Sequence, residues 1–142
     1  MGGFGQDPIP GYDLPTQAAP SLPLTPETAF LRLLNGPAAG RTFPLTALRV
    51  VIGRTDPKAA LHPDIDLTDC ESALPHRISR RHAELQWADG SLRLVDLGSA
   101  NGTWRNAERL AVPVGKPSSA PIPLAPGDRL RFAALEFELV TE

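Results

Sequence analysis

The stretch His82 to Leu97, HAELQWADGSLRLVDL, decides how the chain is read. Apolar and polar residues alternate from His82 to Trp87. They alternate again from Ser91, where Leu92 and Leu94 are in phase and Val95 and Leu97 are out of phase. A period of two is the mark of a half-buried strand. Asp89-Gly90 lies between the two runs, and that dipeptide favours the tight turn of a β-hairpin.

The same signals recur on both sides. AFLRLL (29–34) ends at the turn NGP, RTFPL spans 41–45, RVVIG spans 49–53 and ends on glycine, and DIDL (64–67) is short. After the hairpin come TWRN (103–106), behind a second turn dipeptide Asn101-Gly102, and RLRFAALEFELV (129–140), which divides into two strands around AALE. The nearest thing to a helical pattern is DPKAALH (56–62), which is short and flanked by prolines. Short strands spaced roughly ten residues apart indicate an all-β sandwich or barrel. Functional residues are then expected on loops at one end. VPVGKPSSAPIP (112–123) reads as an exposed loop. Residues 1–26 carry prolines at 8, 10, 15, 20, 23 and 26, which stop helix and sheet alike. They are expected to form a flexible tail on a domain spanning 27–142.

Composition narrows the function. Fourteen Lys and Arg against 16 Asp and Glu give a net charge of -2. That opposes a surface built throughout for nucleic acid, and an aromatic content of 6% opposes base stacking. No apolar run approaches the ~18 residues that cross a bilayer. The N-terminus lacks the basic flank and apolar centre of a signal peptide. The expectation is a cytoplasmic chain with neither membrane nor nucleic acid as partner. Cys70 is the one cysteine, and with His62, His76 and His82 it matches no metal-ligand spacing. No cofactor or metal is expected.

Three stretches concentrate polar groups where strands meet turns: VIGRT (51–55), RISRRHAEL (77–85) and VDLGSANGTWRN (95–106). Together they offer the guanidinium groups of Arg54, Arg80 and Arg81, the hydroxyl of Ser79 and the amides of a tight turn. Asp96 is expected below the rim. Guanidinium pairs bidentately with phosphate oxygens, so this set suits a multiply charged anion. Catalysis is poorly served. A nucleophile elbow around Ser99 needs glycines at 97 and 101, which are leucine and asparagine. Ser79 and His82 lack a third group to orient the base. The phosphate-cradling GxxxxGK is absent. The chain is therefore expected not to be an enzyme. His82, three residues from Ser79, is better placed to brace the loop.

In order, Gly53-Arg54, Ser79-Arg80-Arg81-His82 and Asn101-Gly102-Thr103, followed by Asn106, resemble the forkhead-associated (FHA) domain, a phosphothreonine-binding module. HPDIDLTD (62–69) looks like bacterial members, and the resemblance covers about residues 28–141. It implies an eleven-stranded β-sandwich with binding loops at one end. It also implies that Arg54 and Ser79 hold the phosphate, that Arg80 adds charge beside it and that Asn101 grips the peptide backbone. Gly53, His82 and Gly102 would shape the site. The implied partner is a phosphothreonine protein in Ser/Thr-kinase signalling, such as a kinase or its substrate. Two positions depart from the pattern. Ala100 stands where many relatives carry a polar side chain beside the phosphate, and so offers only its amide. Ala107 replaces a frequent glycine. Ala100 leaves a second reading open, a scaffold of the same fold that binds its partner without phosphate.

Overall fold

The computed structural model describes residues 22–142 apart from 61 and 73. Of the expected tail, residues 1–21 lie outside the described residues. Eleven strands are present among the described residues. They are β1 (Ala29–Leu33), β2 (Thr42–Pro44), β3 (Arg49–Gly53), β4 (Ile65–Asp66), β5 (Arg81–Ala88) and β6 (Ser91–Asp96), then β7 (Thr103–Arg105), β8 (Glu108–Arg109), β9 (Ile122–Pro123), β10 (Arg129–Phe132) and β11 (Leu135–Thr141). One sheet has the order β9-β6-β5-β3-β4 and the other β2-β1-β11-β10-β7-β8. Every pairing is antiparallel except β3 with β4.

The quoted stretch forms the β5–β6 hairpin, with Leu85 opposite Leu94 and Trp87 opposite Leu92. Asp89 and Gly90 both take positive φ, 52° and 76°, so the turn has the twist that antiparallel strands share. Alternation then delivers one apolar face per strand to a common core. β1 contributes Leu31 and Leu33, β3 Val50 and Ile52, β5 Ala83 and Leu85, β6 Leu92 and Leu94, β10 Leu130 and Phe132, and β11 Phe137 and Leu139. Phe132 and Phe137 meet at 5.4 Å between ring centroids, and burial of each such ring contributes about 1.5–3 kcal/mol.

Two strands escape the sequence pattern, β8 and β9, each only two residues long. β9 lies inside the segment expected to be a loop. That segment is pinned as well as exposed: Ser119 is buried, its amide donates to the Asp96 carbonyl (2.9 Å) and its Oγ accepts from the Asp96 amide (2.8 Å). The prolines within strands, Pro44 and Pro123, sit in β2 and β9, the outer strand of each sheet. Proline has no N–H to give a ladder, so an edge is where a strand tolerates it. The helix-like stretch resolves into one 3-10 turn, Pro57–Ala59, capped by the Asp56 carboxylate, which accepts from the Lys58 amide at 3.1 Å.

Candidate functional site

β3 runs into its loop at Gly53, and there the register against β5 shifts. Ile52 pairs with Ala83 but Gly53 pairs with Arg81. The bulge resets the alternation, so His82 and Ala83 are both buried, and His82 is 0% exposed. It also brings the two backbones close together. A Cβ at Gly53 would lie inside the Arg80 carbonyl oxygen, which explains the glycine.

From its buried position His82 reaches two loops. Nδ1 accepts from the Ser79 amide (3.1 Å) and Nε2 donates to the Gly102 carbonyl (2.8 Å), so one neutral ring ties two loops together. Burial is the main cause that lowers its pKa below the usual 6.5, against the pull of the Gly102 carbonyl and of Asp96. Because the unfolded chain takes up this proton first, stability should fall as pH drops from about 6.5 towards the depressed folded value, and be flat above. Urea unfolding between pH 7.5 and 5 checks this. The slope should shrink in His82→Gln, and equal slopes would exclude the ring as its source.

The loop between β6 and β7 is organised from below by Asp96, 3% exposed. Its carboxylate accepts from the amides of Gly98 and Ser99 (3.1 Å each) and from the hydroxyls of Ser99 and Thr103 (2.6 Å each). Ser99 Oγ in turn accepts from the Gly102 amide at 3.0 Å. Gly102 closes the turn at φ +93°, where a Cβ would run into the Trp104 ring. So folded, the turn sends the Ala100 amide to Ser79 Oγ (3.1 Å) and Asn101 Nδ2 to the Arg77 carbonyl (2.9 Å).

The segment 77–80 is where the three stretches converge. Arg54 Nε donates to the Ile78 carbonyl (2.8 Å), and the Arg54 amide donates to the Arg80 carbonyl (3.3 Å). Glu71 accepts from the amides of Arg77 (2.8 Å) and Ile78 (3.3 Å) and meets His76 Nδ1 at 3.2 Å. Ile78 itself is buried in the core. The loop that carries Arg54 is held from its far side by Asp66, which accepts from the amides and hydroxyls of Thr55 and Thr68. Burial works against the Asp66 charge, but those four donors outweigh it and keep the carboxyl below its usual range.

Electrostatically the result is one-sided. Asp66, Glu71 and Asp96 are occupied by N–H and O–H donors. Arg54 is half-buried, and its Nη groups meet no hydrogen-bonding partner among the described residues. Arg80 is ion-paired to Asp56 through Nη1 and Oδ2 at 2.7 Å, and this hydrogen bond draws the Asp56 pKa down. Guanidinium and hydroxyl groups at one end of the sandwich can meet a tetrahedral oxyanion. Among the described residues no three His, Cys, Asp or Glu side chains are grouped to hold a metal ion. Sequence reasoning missed Glu71 and Asp56. Their contacts with Arg77 and Arg80 span 6 and 24 residues, and no periodicity signals such contacts.

The family model for the FHA domain matches residues 50–133, more than half of the chain and all three stretches. A 31-residue segment is 58% identical to the oxoglutarate dehydrogenase inhibitor of Corynebacterium diphtheriae, covering 22% of this chain and 22% of that protein. A structure from work on phosphothreonine-dependent FHA domain interactions is similar over 81% of this chain and 97% of its own, with 27% identity and a TM-score of 0.55. Mycobacterium tuberculosis EmbR, solved with a low-affinity phosphopeptide, is similar over 80% of this chain with 28% identity and a TM-score of 0.58. The similarity spans only 24% of EmbR.

Proposed function

The chain belongs to the FHA domain family, and from that membership we propose that it is a non-catalytic adaptor that binds phosphothreonine peptides. One observation carries the reading. Two stretches distant in sequence, those of Arg54 and Asn101, attach to the third at residues 77–80, and the Arg54 Nη groups are left without a partner among the described residues. In this reading Arg54 and Ser79 hold the phosphate with Arg80 beside it, while Ala100 lines the site and spends its amide on Ser79 Oγ. Asn101 spends Nδ2 on the Arg77 carbonyl, which leaves its Oδ1 to accept from the peptide backbone. Gly53, His82 and Gly102 keep these groups in place. The module spans 27–142 with 1–26 as its tail, and works in the cytoplasm on a Ser/Thr kinase or its substrate. Phosphopeptide binding by a relative of the same fold supports the choice of ligand.

Titration with one peptide in phosphothreonine, phosphoserine and unmodified forms tests it. The phosphothreonine form should bind at least tenfold more tightly than the unmodified one. It should lead the phosphoserine form by about fourfold, the worth of one buried methyl at ~0.8 kcal/mol. Equal affinity for phosphorylated and unmodified peptides would instead favour the phosphate-independent scaffold.

A further inference from the structure

We propose that Asp56 is a specificity-determining residue: its carboxylate competes with the ligand for Arg80, so that a ligand must bring more than one negative charge to claim that guanidinium. This rests on the phosphothreonine reading of the site.

Asp56 lies two residues after Arg54 and Arg80 directly follows Ser79, so the pair joins the two segments that carry the site. Asp56 is also the one carboxylate among the described residues that pairs with an arginine of the site. It is held independently of Arg80. Its Oδ1 accepts from the Lys58 amide and caps the 3-10 turn, while Oδ2 takes the Arg80 Nη1. The carboxylate therefore stays in place when Arg80 leaves. Arg80 is 58% exposed, and its long side chain can swing between partners.

Charge decides the exchange. A phosphothreonine carries about -1.5 to -2 near neutral pH, against -1 for Asp56, so it outbids the carboxylate. A glutamate offers only what Arg80 already has. Asp56 thus lowers affinity for every anion and lowers it proportionally most for singly charged ones, which sharpens discrimination between a phosphorylated threonine and an acidic side chain.

The test is a cycle of four proteins, wild type, Asp56→Asn, Arg80→Ala and the double variant. Each is titrated at low salt with a phosphothreonine peptide, its glutamate counterpart and the unmodified threonine peptide. Asparagine keeps the acceptor that caps the turn. Asp56→Asn should bind the phosphothreonine peptide about two- to fivefold more tightly, the worth of an ion pair at the protein surface. The gain should vanish in the Arg80→Ala background. In Asp56→Asn, and not in wild type, the glutamate peptide should bind better than the threonine peptide. A residue that only bolts the two loops together would instead give weaker binding when neutralised, and that outcome overturns the proposal. So does an unchanged affinity, or a gain that persists without Arg80, which is plain through-space repulsion. A glutamate peptide still level with the threonine peptide in Asp56→Asn overturns the discrimination. If neither wild type nor Asp56→Asn prefers the phosphothreonine peptide to the unmodified one, the phosphothreonine reading falls and this one with it. If wild type shows that preference and Asp56→Asn gains nothing, this one falls alone.

Discussion

Replacing Arg54 by alanine should abolish phosphothreonine-peptide binding in a protein that still folds. Charge-assisted hydrogen bonds to phosphate are about twice as strong as neutral ones, and truncating such an anchor costs about 2–4 kcal/mol. That is roughly 30- to 800-fold in affinity. Two effects combine in the loss. The alanine removes the Nη groups offered to the ligand, and it also strips the Ile78 carbonyl of its Nε donor. The second effect should cost about 1 kcal/mol of stability, which urea unfolding reads separately from peptide titration. Arg54→Lys divides them further, because lysine keeps the charge but cannot fork between the Ile78 carbonyl and a phosphate. Wild-type affinity in Arg54→Ala would remove this residue from the site.

Gly53→Ala should be the more damaging change although it adds a single methyl. The obstacle is the Arg80 carbonyl, which is backbone and has no rotamer to give. Making room means parting β3 from the segment 79–81. That breaks the bond from the Arg54 amide to the Arg80 carbonyl and loosens the bulge that buries His82. Overpacking of this kind costs about 1–3 kcal/mol and at times more. The upper end is expected here, together with loss of peptide binding, since Arg54 and Ser79 both move. A urea midpoint within error of the wild type would show that the close approach is relieved without cost.

Much of the fold was legible because its signals are local. The Asp89-Gly90 turn and the alternation on either side set the hairpin without reference to anything distant. RVVIG (49–53) coincides with β3 for the same reason. β8 was not legible because its two residues, Glu108 and Arg109, are charged and exposed, and β9 because its two residues lie in a proline-rich stretch. The anchoring of 112–123 was hidden because Ser119 finds its partner in the Asp96 backbone, 23 residues earlier. The site divides along the same line. Arg54, Ser79 and Asn101 stood out as polar groups at strand ends, and His82 by its spacing from Ser79. Asp56 acts on Arg80 from a loop that becomes its neighbour only in the folded sheet, and Glu71 reaches back within its own irregular loop, where no period announces the contact.

The bracing of residues 77–80 bears on the speed of recognition. Glu71, Arg54, Asn101 and His82 hold this segment from several directions. On the proposed reading a peptide meets a segment already braced, so little of the binding free energy should go into fixing its conformation. Encounter is then governed by diffusion and long-range charge, and differences between peptides are expressed in how long each stays bound. If the proposed adaptor role holds, such a braced site favours quick capture, with dwell time as the sorting variable.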